Sequence, residues 1–137
     1  MNLVGRLLQA DAKMADERRE KKINSMRLAC IMGEEKPIGI TIREIQAKRL
    51  NDFIAKQFDG KGNFDMARSF DAKALTVGEG VIDPDLKDKR LQEHYNCTNN
   101  KDLAVKLFGN EITAIADAIV ELSGYKTMQE TDDEIKN

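Results

Sequence analysis

The spacing of apolar residues along the chain alternates between a helical and a strand-like period. Over residues 43–58, and again from about residue 64, apolar side chains recur every three or four positions, which is typical of amphipathic helices. Two glycines within residues 59–63 separate these stretches and favour a turn. The second helix is expected to end at Asp83, because the residue before Pro84 disfavours helical backbone.

Residues 25–42 show a different period. Met26, Leu28, Cys30 and Met32 alternate with their neighbours, and Ile38 begins a second alternating run after a polar loop that contains glycine and proline. A period of two on both sides of such a loop predicts a β-hairpin with one apolar face. Two strands alone are marginally stable in water, so a helix or another chain is expected to cover that face.

The C-terminal half predicts further helices. One helix is expected to begin with Asp83 as its N-terminal cap. A second, short helix is expected to begin with Thr98 or Asn99 as its cap and to end at Gly109. Asn110 is expected to cap the last and clearest amphipathic helix. The sequence therefore predicts an α+β fold that is mostly helical, with one hairpin followed by roughly four to five packed helices.

The two ends of the chain differ from this middle. Residues 1–24 predict a charged arm or helix in which Leu3, Leu7 and Leu8 share a narrow apolar face. A solvated arm is the favoured interpretation, and the alternative is a short anchor that docks on a partner or on a second copy of the chain. Residues 25–125 are predicted to form a single globular domain, and the polar, acidic residues 126–137 a disordered tail.

Composition narrows the classes of function. Lys and Arg number 22 against 24 Asp and Glu, a net charge of -2, whereas a nucleic-acid binder usually carries a basic excess. The final helix, 110–123, has no Lys or Arg, which argues against a DNA-recognition helix. One His and two Cys cannot build a zinc site alone. No run approaches about 18 apolar residues, so we expect a soluble, intracellular protein that does not enter a membrane, with free thiols.

One loop invites comparison with a calcium-binding loop. If Asp59 were its first position, the third position would be Lys61, the glycine position would be Phe64, and the final acidic position would be Phe70. Because each of these departs from the pattern that calcium coordination requires, a plain interhelical turn is favoured.

Two other groupings carry chemically active side chains. Asp83, Asp85 and Asp88 are interleaved with basic residues, which would oppose a bound cation, and acids are expected at a helix N-terminus. His94 and Cys97 lie close in sequence but lack a third orienting group. The sequence thus predicts no catalytic, cofactor-binding or metal-binding residues, and no enzyme.

The most specific pattern begins at residue 81. The pattern consists of residues 81–92 with Tyr95, residues 101–108, residues 109–112 and a close at residues 122–125. It resembles the phage tail assembly chaperones of the XkdN-like family, common in prophages of Gram-positive bacteria. The upstream layout of a short apolar start, a charged stretch and two strands before a helix is also similar. The insertion of Asn110 between a glycine and Glu111 is a departure from the family pattern.

This resemblance implies a non-enzymatic role without cofactors. Such chaperones bind the tape-measure protein, keep its long helical segments soluble and help to recruit tail-tube subunits. They act in the host bacterial cytoplasm and are generally absent from the finished virion. The alternative is a structural head–tail or tail-completion protein that is retained in the virion. The sequence leaves the oligomeric state open, a homo-oligomer included, and places Leu3, Leu7 and Leu8 as the candidate partner-binding residues.

Overall fold

A computed structural model describes residues 2–124 of the chain. Within them, the helices are α1 Leu3–Gln9, α2 Met26–Met32, α3 Ala47–Ala55, α4 Met66–Gly80, α5 Lys89–His94, α6 Asn100–Phe108 and α7 Ile112–Leu122. The strands are β1 Glu20–Ser25, β2 Ile38–Arg43 and β3 Val81–Asp83, and short 3-10 helices cover Ala12–Ala15 and Gly109–Glu111. This confirms the mostly helical α+β fold. The tail predicted for residues 126–137 lies outside the described residues.

The sheet is antiparallel, with the strands in the order β1-β2-β3. In its first pair, Glu20 lies opposite Arg43 and Ser25 opposite Ile38. Ile40 and Ile42 of the central strand are fully buried, because alternate residues of a strand face the same side. The helices that follow β2 in the chain supply most of the apolar core against which this face packs.

The hairpin strand predicted for residues 26–32 is wrong, since this segment is helix α2. The Ser25 hydroxyl accepts a hydrogen bond from the Leu28 N–H (3.1 Å) and caps the N-terminus of the helix. At the other end Gly33 has a left-handed φ of 72°. The Glu34 N–H donates to the Ala29 carbonyl, which completes a Schellman motif. The alternation of apolar residues was therefore misleading, and the two caps decide the structure.

The true partner of β2 is β1, which lies inside the stretch predicted to be a charged arm. Glu20, Lys21 and Lys22 are exposed on this strand, and charged residues are common on sheet edges because they discourage pairing with other chains. The predicted arm at residues 1–24 is thus corrected: its last residues are a strand of the sheet, and only the part before Arg19 stands apart from it.

The core is centred on α4, which packs against α6 and α7. Gly80 permits this approach, because a Cβ at that position would lie 2.5 Å from Cδ1 of Ile119. The side-chain amide of Asn100 also donates to the Gly78 carbonyl (3.1 Å) and ties the start of α6 to α4. Phe108 at the end of α6 is fully buried among these helices.

Several predicted boundaries change. Asp83 does not cap a helix, because it ends β3 opposite Thr41; α5 begins later, with the Asp88 carboxylate accepting the Leu91 N–H. Of the two caps predicted for α6, Thr98 and Asn99, the structure has Asn99, and Gly109 ends the helix as predicted. Asn110 is not the cap of α7, since it lies inside a 3-10 turn that leads into that helix.

Candidate partner-binding surfaces

Helix α1 presents the predicted partner-binding residues to solvent. Its side-chain exposure is 66% at Leu3, 65% at Val4, 66% at Leu7 and 81% at Leu8, and no residue of the helix is buried. The spacing of three and four places these side chains next to one another along one side of the helix. We call these four residues the arm face.

Hydrogen bonds between Arg19 and Glu44 join the end of the arm to the body of the protein. The carboxylate of Glu44 accepts the backbone N–H of Arg19 (3.0 Å), and the Glu44 N–H donates to the Arg19 carbonyl (2.8 Å). Every residue from Ala10 to Arg19 is exposed. The arm face is therefore held by its own local hydrogen bonds, such as that from the Gly5 N–H to the Asn2 side chain.

A second apolar surface is an open groove of about 810 Å³ between α3, α4 and α7. Lys73 and Asp117 are the charged residues in its lining. We call it the apolar groove; its main apolar lining residues are Phe53, Ile54, Phe58, Phe64, Ala116 and Val120.

The loop before α4 holds two exposed rings at this groove. Phe58 and Phe64 form an isolated antiparallel bridge, and their rings meet edge to face with centroids 6.2 Å apart. The Asp59 carboxylate accepts the N–H groups of Asn63 and Lys61 (3.0 and 2.8 Å), and these two bonds hold the pKa of Asp59 below its usual value. Asp59, the first position of the calcium loop considered above, thus stabilises its own turn with its carboxylate.

A third surface is a polar cleft of about 410 Å³ where β2, α3 and the α4–β3 junction meet. The positive side chains in its lining come from four separate segments of the chain. We call it the basic cleft; its charged residues are Arg18, Arg43, Arg49, Glu79, Asp85 and Lys87.

Glu79 is the centre of the ion pairs in this cleft. It receives hydrogen bonds from Arg49 (3.0 Å) and from Lys87 (3.3 Å). Partial burial acts to raise the pKa of the Glu79 carboxyl, but the hydrogen bond from Arg49 and the charge of Lys87 outweigh it, so the pKa lies below its ordinary value. Glu79 is therefore ionised at neutral pH and neutralises part of the positive charge.

The other candidate groups have structural partners. The Cys97 thiol faces the Tyr95 carbonyl (3.5 Å), and the His94 ring packs edge to face on Tyr95. Asp85 accepts the N–H of Lys87 (3.0 Å) at a turn. Within residues 2–124, no group of three or more His, Cys, Asp or Glu side chains is arranged to hold a metal ion, and no helix there is long and apolar enough to cross a membrane.

The sequence predicted Leu3, Leu7 and Leu8 of the arm face as partner-binding residues, and it predicted neither Val4 nor the other two surfaces. The arm face lies within one helical turn and a half, so its spacing is visible in the sequence. The groove joins residues from 53 to 120, and the basic cleft joins residues from 18 to 87. The sequence signal available for the groove was the pair of aromatic residues, Phe58 and Phe64, on either side of the glycine-containing turn at residues 59–63.

Comparison with known proteins places the chain in a family. A family model described as "Phage XkdN-like tail assembly chaperone protein" matches residues 4–136. No curated protein matches the chain. Among solved structures, the chain is similar to the crystal structure of the protein yqbn, a structural genomics target, with 15% identity and a TM-score of 0.53. That likeness covers 78% of this chain and 87% of the other, and it supports the fold alone.

Proposed function

The chain belongs to the family of phage XkdN-like tail assembly chaperones, and from this premise we propose that it binds the tape-measure protein of its phage. In this proposal the chaperone has no enzymatic role. It covers apolar helical segments of the tape-measure protein, keeps them soluble and helps to bring tail-tube subunits to them. Membership of the family implies phage tail proteins as partners, and the tape-measure protein is our choice among them.

The exposed arm face is the observation that supports this proposal. Covering a large apolar side chain stabilises a complex by about 1.5–3 kcal/mol relative to leaving it in water. A short amphipathic helix with four such side chains is a common way to engage an apolar partner helix. None of the four is buried by the described part of its own chain, and between 65% and 81% of each residue's surface is available to a partner.

Co-expression with the tape-measure protein encoded nearby tests the proposal directly. We expect the tape-measure protein to become soluble and to co-purify with this chain. The triple variant Leu3→Ser, Leu7→Ser, Leu8→Ser should lose at least tenfold in binding. A second variant with alanine at the same positions preserves helix propensity and should lose binding to a similar extent.

A matched control removes equally exposed apolar side chains elsewhere. Met14, Met32 and Met66 are 61%, 57% and 77% exposed, and their replacement by Ser should leave binding within twofold. If the arm variants bind as well as the unchanged chain, the arm is not the binding surface. If the tape-measure protein stays insoluble and unbound with every form, the proposed partner is wrong.

We also propose that the protein acts in the host cytoplasm during tail assembly and is left out of the mature virion. Mass spectrometry of purified particles tests this proposal, using the tail-tube protein as the internal standard. A chaperone should be missing or far below one copy per tube ring. A stoichiometric amount in the particles would instead favour the structural head–tail or tail-completion role.

A further inference from the structure

The basic cleft contains more positive than negative side chains. Its acids already have partners, since Glu79 accepts hydrogen bonds from Arg49 (3.0 Å) and Lys87 (3.3 Å), and the Asp85 carboxylate accepts the Lys87 N–H (3.0 Å). Two further arginines, Arg18 and Arg43, line the cleft. Among residues 2–124 neither forms a salt bridge. An anionic group that enters the cleft therefore meets two arginines with unshared charge.

The backbone holds these two arginines in fixed places. Arg43 is the last residue of β2. Arg18 precedes Arg19, whose backbone N–H and carbonyl are both bonded to Glu44, the residue that follows Arg43. Glu20 lies opposite Arg43 in the sheet but forms no salt bridge with it. Because their backbone is already ordered, the two arginines lose less conformational freedom when a ligand binds.

The cleft also has apolar walls between its charges. Ile45 and Val81 are buried and Ile82 is half-buried, and all three line the cleft. Aspartate and glutamate suit such a site, because their carboxylate can pair with a guanidinium through two parallel hydrogen bonds. Their methylene groups, or an apolar neighbour in the same peptide, can lie against the apolar walls.

The lining of the cleft suits a nucleic acid less well. None of the described residues that line it is aromatic, whereas proteins that bind single strands commonly stack bases on aromatic rings. Glu79 and Asp85 also lie in the cleft, and they would repel a strand that carries a negative charge about every 3.4 Å. The charges therefore favour a few carboxylates over a run of phosphates.

We propose that the basic cleft binds the carboxylate side chains of an acidic segment in a partner protein, with Arg18 and Arg43 as the pairing residues. This contact goes beyond the one proposed for the arm face, since it is ionic and depends on other residues. It lies at a partly exposed site, so it weakens with added salt.

Titration of the full-length chain with a short peptide tests the proposal. The probe is Leu-Glu-Glu-Leu with both ends capped, and the control peptide is Leu-Gln-Gln-Leu, which has the same shape without the charge. At about 0.1 M salt the acidic peptide should shift the amide signals of residues 18–19, 43–49 and 79–87. The control peptide should bind at least tenfold more weakly. The difference should disappear at about 1 M salt, where the screening length falls from about 10 Å to about 3 Å.

Variants of the cleft should change the affinity in both directions. Arg18→Gln with Arg43→Gln should weaken binding of the acidic peptide at least tenfold. The control Lys36→Gln with Lys61→Gln removes the same charge from exposed positions outside the cleft and should stay within twofold. Glu79→Gln should tighten binding at least threefold, because it leaves Arg49 and Lys87 with unshared charge. A variant that merely folds poorly would not give this gain.

Three results would overturn the proposal. The first is equal binding of the two peptides, and the second is an arginine variant that binds the acidic peptide within twofold of the unchanged chain. The third is a larger shift of the cleft amides by an oligothymidylate of about eight nucleotides at the same concentration, which would identify a nucleic-acid site. The variant Leu3→Ser, Leu7→Ser, Leu8→Ser should bind the acidic peptide normally, so failure at the cleft is distinguishable from failure at the arm face.

Discussion

Helices α1 and α7 carry the same kind of apolar pattern and have opposite environments. In α7 the side chains of Ile112, Ile115 and Ile119 are buried, whereas those of Leu3 and Leu7 in α1 are about two-thirds exposed. The helical period gives each helix an apolar face, but it does not supply a surface to cover that face. For α7 the covering surface is α4. The described part of the chain offers α1 no such surface, which makes α1 the better candidate for contact with another protein.

The largest expected effect comes from truncating α7. Ile119→Ala removes a fully buried side chain, and such changes typically lower the free energy of unfolding by about 2–5 kcal/mol. Urea denaturation followed by far-UV circular dichroism measures the change. Leu7→Ala in α1 is the matched control and should stay within about 0.5 kcal/mol of the unchanged protein. If both variants lost the same free energy of unfolding, the conclusion that α7 is covered and α1 is exposed would be wrong.

The next largest effect on stability is expected at Gly80, where α4 approaches α7 closely. Gly80→Ala puts a methyl group against the side chain of Ile119, and overpacking of this kind typically costs about 1–3 kcal/mol. In the double variant with Ile119→Ala the space left by the isoleucine accepts the new methyl group. The double variant should therefore be more stable than the sum of the single losses predicts. Strict additivity in thermal or urea unfolding would show that the close approach at Gly80 does not matter.

A loss in the same range, but confined to one segment, is expected where Glu111 at the start of α7 holds α2 in place. The Glu111 carboxylate accepts the Ser25 hydroxyl (2.6 Å) and the Met26 N–H (3.1 Å). Glu111→Ala leaves the buried Ser25 hydroxyl without this acceptor, at a cost of about 1–3 kcal/mol. Glu121→Ala, at an exposed position of α7, is the control and should be nearly neutral. Hydrogen exchange should show the loss of protection first in α2; uniform loss across the protein would contradict a local role for Glu111.

The smallest effect on stability is expected in the arm. Leu3→Ser, Leu7→Ser, Leu8→Ser should leave the melting temperature within about 1–2 °C of the unchanged protein, because exposed changes are usually worth less than about 0.5 kcal/mol. Differential scanning calorimetry of the unbound protein provides the measurement. A clear drop in melting temperature would mean that the arm face packs on its own chain in solution.

The elements that the sequence predicted well are those whose signals are local. The period of α7, the Asn99 cap of α6 and the end of that helix at Gly109 all depend on residues within a few positions of one another. Local signals also existed for α2, in Ser25 and Gly33, but the alternation of Met26 and its neighbours concealed them. Over only seven residues, an alternation of apolar side chains is compatible with a strand and also with a helix that buries few residues. In α2 the buried residues are Leu28 and Ala29.

The candidate surfaces divide in the same way. The arm face is local, and its exposure could be inferred because the apolar stripe is short and charged residues follow it. The basic cleft could not be inferred, because it depends on the pairing of Glu20 with Arg43 and on the place where α4 meets β3. Strand pairing brings together residues that no sequence period connects. A stretch with many charges therefore contained both a strand, β1, and one residue of the basic cleft, Arg18.

The bond between Ser25 and Glu111 has a consequence for synthesis on the ribosome. The two residues are 86 positions apart, and at about 5–20 residues per second the ribosome needs roughly 4–17 s to make the chain between them. During that interval the N-terminal segments have been made, but the carboxylate that fixes α2 has not. The nascent chain thus presents its arm and its first strand to neighbouring chains before its own core exists. The order of translation therefore leaves the arm exposed until the residues that fix α2 have been made.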